Sequence, residues 1–540
     1  MNLTNKIYLG LSALAGGVAA VALVLVLSNT TEQLQPSSKA RPAATSSVET
    51  IDNTALPLQT AIAAIEQPAL RADLEKMYTA SEYRPLWTRD RAGRKRLDAV
   101  DDLGESLSAQ GLSAAFLTAP RTGLSSADTS EARAKAEIQM SAAVLRAAHG
   151  QRFGFIPAKT LGWNLAADEA DIAGSLGKAA AENNLAKYFE TLAPRHPQFK
   201  ALKAALVQYR QIAASGGWEP VPRDKPIELT GDGRLPALKA RLAAEGYMSA
   251  GADEAAVLEA VKLFQKRNGL EPDGRIGKGT LAALNVPVED RIDQIAANLE
   301  RWRHMRHAEP EAYVVANIAD QTVAVIRDGR EDLRLRTVVG TRRHATPMLE
   351  ATMTAVTMNP PWEIPTSIIT NEIIPKLDKE PDYLIANDME VVSGSWENPR
   401  SLRVRQRPGA GNALGHMKFQ MQNQWNIYLH DTPSRSFFAK DDRYFSHGCV
   451  RVDQPQELAI NLLKNTSVED IKADIASGET RTVKLEKPLP VFVLYWSVFA
   501  DKNGDINFRR DFYERDSQTA NALAGAGLLV RPAGVVQNGN

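Results

Sequence analysis

An uncharged apolar run near the start is the first clear pattern along the chain. Residues Ile7 to Leu27 carry no charged side chain over 21 positions, with Lys6 before the run and Glu32 as the next charge after it. A helix of this length spans the hydrocarbon core of a bilayer. The positive bias before the run predicts a cytoplasmic N-terminus at 1–6 and a single-pass membrane anchor at 7–27, with the rest of the chain outside. A cleaved signal peptide is the competing interpretation, and export follows from either one.

Apolar residues then recur at helical spacing over a long stretch. Residues 28–56 are rich in Ser, Thr, Gln, Ala and Pro, which is typical of a flexible linker. Leu70, Leu74 and Met77 begin a pattern with a helical period after it. This pattern predicts a helical scaffold domain over residues 57–222.

A compact module of three short helices is predicted over residues 227–287. One apolar group predicts a helix that ends near Gly246, and a second group predicts another helix. Gly277 and Thr280 open a third helix, which runs to Asn285. The two apolar groups are Leu235, Leu238 and Leu242, and then Val257, Val261 and Phe264.

From residue 312 onward the apolar pattern takes on the character of strands. The runs Tyr313–Ile318 and Gln321–Ile326 are followed by Asp328-Gly329, which is a hairpin turn signal. Further short strands with frequent turns predict a mostly-β domain over 311–510, built as a sandwich or a small barrel.

The strand pattern is lost between about 371 and 417, where prolines and charged residues interrupt it. Long insertions of this kind often form lids, so we expect a lid here. Strands are predicted to resume at Trp425 and to run into His430, and residues 518–540 are predicted to form a tail. The predicted fold class is therefore multidomain α+β, with the mostly-β domain as a sandwich that carries a lid insertion.

Charge and cysteine content narrow the functional classes. Lys plus Arg and Asp plus Glu are equal at 64 each, so the formal net charge is zero and no basic field favours nucleic acid. Cys449 is the only cysteine, so the chain has no internal disulfide. An unpaired thiol is a liability in an exported protein, and its retention indicates reactivity rather than packing alone.

The residues around Cys449 supply what a thiolate nucleophile needs. Cys449 lies in the motif Ser446 to Arg451 (Ser-His-Gly-Cys-Val-Arg), and His430 precedes it by nineteen positions. A nearby histidine lowers the pKa of a thiol and shuttles protons. Both His430 and His447 could serve, and His430 is favoured because it ends a strand that a neighbouring strand could bring opposite Cys449. The Asp431 side chain should point to the other face of that strand, so a backbone carbonyl could orient His430 instead.

Groups next to the thiol could hold a substrate. Gly448 lets the backbone turn sharply, and the N–H groups of Gly448 and Cys449 could form an oxyanion hole. Arg451 could bind a carboxylate or carbonyl as a fork donor, with a structural ion pair as its alternative role. The further candidate substrate contacts are His447, Ser446 and Tyr428.

A metal site is the main chemical rival for these residues. His430, Asp431, His447 and Cys449 are all possible zinc ligands. Their spacing matches no common zinc motif, however. Two ligands separated by a single residue, as His447 and Cys449 are, also fit a tetrahedral metal site poorly. We therefore expect neither a metal nor another cofactor.

The motifs resemble those of a known family. His430, fifteen intervening residues and Ser-His-Gly-Cys-Val-Arg are similar to the signature of the YkuD-type L,D-transpeptidases, exported enzymes that cross-link bacterial peptidoglycan. The segment Asn359–Pro365 (Asn-Pro-Pro-Trp-Glu-Ile-Pro), the lid-like insertion and the N-terminal helices resemble the large YcbB-like branch of that family. The module at 227–287 is similar to the small peptidoglycan-binding domain that this branch carries.

The resemblance implies a role for each motif residue. It implies Cys449 as nucleophile, His430 as base, the Gly448 and Cys449 amides as oxyanion donors, and Arg451 as a contact to substrate or to the active-site backbone. The implied reaction is the transfer of an acyl group from a tetrapeptide stem to Cys449 with release of D-Ala, followed by formation of a 3–3 cross-link. The implied partners are peptidoglycan stem peptides as donor and acceptor, the inner membrane and cell-wall synthases, with the catalytic part in the periplasm.

Three alternatives stay open on the sequence alone. The same acyl-enzyme could pass its acyl group to water, as an L,D-carboxypeptidase or endopeptidase does, or to a protein lysine, as a wall–protein ligase does. The alternative outside the enzyme class is a non-catalytic cell-wall anchor. The intact set of His430, Cys449 and Arg451 argues against that anchor.

Overall fold

The computed structural model describes residues 58–166, 169–223, 225–249, 251, 253–305 and 310–529. The predicted cytoplasmic N-terminus, membrane anchor and linker lie outside these described residues. Within the described ranges, no helix is both long enough and apolar enough to cross a membrane.

The first described part of the chain is helical, as its apolar spacing predicted. Asp90 and Thr129 cap the helices that follow them, because each side chain accepts the backbone N–H of the residue three positions later. A two-residue strand, β1 (Trp163–Asn164), interrupts the helices and pairs with a strand of the C-terminal part. The helices are α1 (Leu58–Ala63), α2 (Pro68–Thr79), α3 (Arg91–Ala109), α4 (Ala115–Ser126), α5 (Ser130–Phe153), α6 (Ile172–Ala181), α7 (Leu185–Glu190) and α8 (Pro197–Ala214).

The small module has its own apolar core. It contains α9 (Leu235–Ala244), α10 (Glu254–Arg267) and α11 (Lys278–Leu284), which begin and end close to the predicted positions. Asp253 caps α10 by accepting the Ala256 N–H. The core contains five of the six apolar residues that defined the predicted helices, and the sixth, Leu235, is partly buried against it. The other core residues are Val221, Ile227, Ala260, Ile276, Leu281 and Leu284.

Helix α12 (Val288–Arg303) connects the helical part with the C-terminal part. Glu300 accepts the backbone N–H groups of Phe155 and Ile156, which follow α5. On another face Asn298 donates to Ser497 at 2.8 Å, and Arg301 pairs with Asp516 at 2.5 Å. Because Ile156, Ser497 and Asp516 are buried, α12 fixes the two parts of the molecule against each other.

The C-terminal part is organised around a sheet that closes on itself. The strands run in the order β5-β13-β2-β3-β4-β12-β10-β9, and β9 pairs again with β5. The mostly-β prediction is confirmed, but the predicted sandwich is wrong, because β9 pairs back with β5 and closes the sheet on itself. The strands are β2 (Ala312–Asn317), β3 (Thr322–Arg327), β4 (Arg330–Gly340), β5 (Met348–Met358), β6 (Trp362–Glu363), β7 (Met389–Ser395), β8 (Asn398–Gln406), β9 (Met417–Gln422), β10 (Leu429–His430), β11 (Tyr444–Ser446), β12 (Val450–Val452), β13 (Arg481–Leu494), β14 (Val498–Ala500) and β15 (Ile506–Phe508).

The strand predicted from Trp425 to His430 is mostly absent. Regular pairing covers only Leu429 and His430, and Asn426 has a left-handed φ of 53°. The Asn423 side chain accepts the N–H groups of Trp425 and Ile427 and so forms a local turn. This side-chain turn replaces the ladder hydrogen bonds that a strand would make here.

The lid is a small α+β unit that begins earlier than predicted. The predicted insertion was 371–417, without strands, whereas the structure has a three-stranded sheet, β6-β8-β7, over 362–406. The unit has its own core of Ile364, Ile369, Ile373, Leu402 and Val404. Its helical segments are α13 (Thr366–Ile368), a π-helical turn (Ile369–Ile373), α14 (Ile374–Leu377) and α15 (Tyr383–Ala386).

The tail predicted at 518–540 is wrong for its described portion. Helix α18 (Arg515–Gly525) contains buried Thr519, Ala520 and Leu523 and packs on α12. Leu529 then forms a β-bridge with Leu112 of the helical part. The remaining helices are α16 (Pro455–Leu462) and α17 (Val468–Ala476), together with a 3-10 turn at Arg435–Ala439.

Candidate active site

Cys449 lies in a tight loop between β11 and β12. Strand β12 pairs with β4 on one side and with β10 on the other, so the loop is fixed at the end of paired strands. Gly448 has a φ of +116°, a conformation that favours glycine. Ser446 is buried, and its hydroxyl accepts the Gly448 N–H at 3.1 Å and donates to the Cys449 carbonyl at 2.6 Å. The hydroxyl thus fixes the turn that presents the thiol.

A large cavity opens between this loop and the lid. Its volume is about 1070 Å³, and lid residues such as Trp362 and Leu402 form one of its walls. Six of the seven predicted site residues line the cavity, and Gly448 lies in the loop between two of them. The six are Tyr428, His430, Ser446, His447, Cys449 and Arg451.

His430 is buried and is oriented by a backbone carbonyl. Its Nδ1 lies 2.5 Å from the Asp431 carbonyl oxygen, so this ring nitrogen carries the proton and donates. Burial and the positive charge of Arg451 lower the pKa of His430 to about 3. Its imidazole is therefore neutral at neutral pH and is able to accept a proton.

The Asp431 carboxylate holds the neighbouring backbone in place rather than orienting the His430 ring. Its oxygens accept the backbone N–H groups of His416 and Thr432, and it pairs with Arg435. A side chain at Gly415 would collide with this carboxylate, since a Cβ built there lies 2.4 Å from it. Asp431 thus fixes the chain on either side of the histidine.

Cys449 is partly exposed to the cavity, and its Sγ lies 3.7 Å from the Asn426 carbonyl oxygen. Desolvation raises the pKa of the thiol, while hydrogen bonds from Tyr428 and the positive charges of Lys418 and Arg451 act to lower it. The net direction is upward, so the thiol is protonated in the resting site. The site therefore combines a neutral thiol with a neutral imidazole.

His447, the other candidate base, contacts the lid. Its Nε2 lies 2.8 Å from a carboxylate oxygen of Glu372, in the π-helical turn. Its ring also packs against His344, with the ring centroids 5.0 Å apart. His447 therefore connects the thiol loop to the lid.

The Gly448 amide is not available as the predicted oxyanion donor. Its N–H donates to Ser446, and its carbonyl accepts from the buried Thr346 hydroxyl at 2.8 Å. Both backbone groups of this glycine therefore hold the loop in place.

Arg451 and Tyr428 line the cavity beside the thiol. The Nε of Arg451 is buried and has no hydrogen-bond partner among the described residues. The Tyr428 hydroxyl interacts with Cys449 and with Trp362 of the lid, and burial raises the pKa of Tyr428. A substrate group bound next to the sulfur could therefore form hydrogen bonds with both the Arg451 guanidinium and the Tyr428 hydroxyl.

Lys418 and Thr346 are site residues that the sequence analysis missed. Lys418 faces His430 across the β9–β10 pair, as Arg451 does across the β10–β12 pair, so His430 lies between two cations. Thr346 joins the Gly448 carbonyl to the Gly340 amide. Neither residue belongs to a local motif: strand register places Lys418 beside His430, and hydrogen bonds place Thr346 against the thiol loop. Lys418 falls in a β9 strand with alternating burial, which the sequence could have indicated.

Models of three known domain families match separate parts of the chain. Residues 311–469 match the "L,D-transpeptidase catalytic domain" of the YkuD family, which contains the cavity and the thiol loop. Residues 72–206 match a "Scaffold domain", and residues 232–284 match a "Putative peptidoglycan binding domain".

Among curated proteins, a Haemophilus influenzae protein named "Putative L,D-transpeptidase" is similar to this chain. The two are 32% identical over 246 residues, which is 43% of this chain and 50% of the other. The chain thus matches half the length of that relative.

Solved L,D-transpeptidase structures also match. One from Stackebrandtia nassauensis is 16% identical and covers 48% of this chain and 91% of that chain, with a TM-score of 0.22. One from Mycobacterium smegmatis is 15% identical and covers 34% of this chain and 58% of that chain, with a TM-score of 0.19.

Proposed function

We propose that this chain, which carries a YkuD-family L,D-transpeptidase catalytic domain at residues 311–469 and a peptidoglycan-binding domain at 232–284, forms 3–3 cross-links in peptidoglycan through a thioester on Cys449. The supporting observation is the juxtaposition of a single thiol and a neutral, oriented imidazole in one large cavity. A cavity of about 1070 Å³ is at the upper end of the range for ligand pockets, which suits a peptide stem as substrate.

The first half of the reaction loads the enzyme. Cys449 Sγ attacks the carbonyl of the third stem residue while His430 takes the thiol proton. The Cys449 amide supports the oxyanion, and Lys418 and Arg451 add positive charge nearby. The bond to the terminal D-Ala then breaks, and His430 returns the proton to the leaving amine.

The second half of the reaction transfers the acyl group. The side-chain amine of the third residue in a neighbouring stem, a diamino acid, attacks the thioester carbonyl and loses a proton to His430. The carbon–sulfur bond breaks, and the thiolate takes that proton back from His430. A thiolate suits both steps, because it is a good nucleophile and a good leaving group.

The assignment of His430 as base is tested by comparing histidine variants. His430→Ala should abolish turnover, because the imidazole that takes the thiol proton is gone, whereas His447→Ala should keep partial activity. The measurement is the rate of D-Ala release from a purified disaccharide-tetrapeptide. The reverse ranking would move the base to His447.

The acceptor is tested by identifying the products. The full chain is incubated with the disaccharide-tetrapeptide, and the products are separated and weighed by mass spectrometry. Free D-Ala together with a 3–3 dimer supports the transpeptidase. D-Ala without a dimer would indicate transfer to water, and a stem attached to an added lysine-bearing protein would indicate a wall–protein ligase.

We also place the protein at the inner membrane, with its catalytic part in the periplasm. The support is the uncharged run at 7–27 and the presence of two domains related to peptidoglycan. The full chain should fractionate with membranes and resist carbonate extraction, and a chain lacking residues 1–27 should not. Release of the full chain by carbonate would reject the anchor.

A further inference from the structure

The charged residues that line the cavity are mostly positive. Five of them are Arg or Lys and two are Glu. Two of the cations, Lys418 and Arg451, flank His430 on the neighbouring strands β9 and β12. The full set of cations is Arg343, Arg400, Arg403, Lys418 and Arg451.

Both cavity carboxylates already have partners in the protein. Glu363 pairs with Arg405 at 2.5 Å, and Glu372 pairs with His447 at 2.8 Å. Within the described part of the chain, none of the five cations has a salt-bridge partner. Glu363 thus has a counter-charge, whereas His447 offsets the charge of Glu372 only when its imidazole is protonated. With five cations against two carboxylates, the charge of the cavity lining is positive on balance.

The positions of the cations divide the cavity into two zones. Lys418 and Arg451 are partly buried beside the thiol, where a cation without a counter-charge is costly. Arg400 and Arg403 lie on β8 of the lid, opposite the thiol loop, with exposed side chains. A peptide that extends from Cys449 towards the lid would thus pass from one cationic zone to the other.

We propose that the cavity selects stem peptides whose side-chain carboxylates are free rather than amidated, and that Arg400 and Arg403 bind one of these carboxylates. This inference rests on the proposed function, because it assumes that a stem peptide is the ligand. Arginine suits the task, since its planar fork pairs with a carboxylate and has no comparable partner in a neutral carboxamide. The lid is then a specificity element as well as a cover.

Binding to the full-length Cys449→Ala protein tests the proposal without requiring turnover. The probes are two synthetic tetrapeptides of identical sequence, one with free side-chain carboxylates and one with carboxamides in their place. We expect the free-acid peptide to bind on the order of tenfold tighter at low salt, with the ratio shrinking as salt is added. Equal affinity for the two peptides would overturn the proposal.

Lid variants locate the selectivity. Arg400→Gln with Arg403→Gln, in the Cys449→Ala background, should reduce the ratio to about twofold. The matched control is Lys379→Gln, which removes a positive charge from an exposed lid residue outside the cavity and should leave the ratio unchanged. An unchanged ratio in the double arginine variant, with an unchanged unfolding midpoint, would also overturn the proposal.

The two proposals can fail separately. A carboxylate preference without any thioester on wild-type protein would reject the transpeptidase function alone. Thioester formation at equal rates with both peptides would reject the selectivity alone.

Discussion

At the scale of single residues, the groups that can act on a substrate are determined by which backbone groups already form hydrogen bonds within the protein. The Asp431 carbonyl orients His430, and Ser446 occupies the Gly448 amide that would otherwise be free to bind substrate. The local motif pointed to Cys449 and His430, because the two residue types and their spacing were readable, and both residues line the cavity. The direction of each N–H group depends on the turn geometry, which no residue pattern specifies.

The lowered pKa of His430 predicts how stability depends on pH. Between its ordinary pKa of 6.5 and its folded value of about 3, the unfolded chain binds a proton at His430 and the folded chain does not. The free energy of unfolding should therefore fall as the pH drops through this window. Relative to His430→Gln, the wild type should lose about 2 kcal/mol between pH 7 and pH 5.

Chemical denaturation of both proteins at the two pH values measures this difference. His344→Gln, at the exposed rim of the cavity, serves as the control histidine variant. Parallel pH curves for wild type and His430→Gln would show that His430 is not held neutral by its surroundings.

At the scale of elements, the lid and the closed sheet meet at the thiol loop. The strands β2 and β3 were predictable because each is a short apolar run and because the dipeptide Asp328-Gly329 is a hairpin turn signal. Both turn residues indeed have a positive φ. The lid strand β7 was not predictable, because most of its residues are exposed and buried positions do not alternate with exposed ones along it. Helix α18 was missed because it has few large apolar residues: its buried apolar side chains are Ala520 and Leu523, and Asp516 adds an ion pair with Arg301.

The contact between His447 and Glu372 predicts a role in lid closure. Each side chain is about two-fifths exposed, at 41% and 38%, so this contact is a partly exposed one, and it is an ion pair only when the imidazole is protonated. Glu372→Gln should raise KM for the donor stem by about two- to fivefold and leave kcat nearly unchanged. Amide exchange in residues 366–377 should become faster.

Steady-state kinetics and hydrogen exchange measure the two effects. Glu380→Gln removes an exposed lid carboxylate that does not line the cavity and should change neither. A fall in kcat at constant KM would assign Glu372 to the chemistry instead of to the lid.

At the scale of the whole molecule, α12 joins the helical part to the catalytic part. Arg301 is fully buried, and its partner Asp516 is 6% exposed. Asp516→Ala would leave the guanidinium buried without a counter-charge, which should lower the free energy of unfolding by about 3–5 kcal/mol.

Glu514→Ala is the matched comparison, because Glu514 and its partner Arg342 are both about three-fifths exposed. It should cost less than about 1 kcal/mol. Urea unfolding of the two variants gives both values, and similar costs would contradict the view that α18 is an integral part of the fold.

Intact-protein mass spectrometry tests the central claim most directly. The full chain and its Cys449→Ala variant are each incubated with purified disaccharide-tetrapeptide and weighed. We predict a mass increase equal to the donor minus D-Ala on the wild type alone, removable by neutral hydroxylamine as expected for a thioester. An adduct that persists on Cys449→Ala, or a folded wild-type protein that acquires none, would contradict the account.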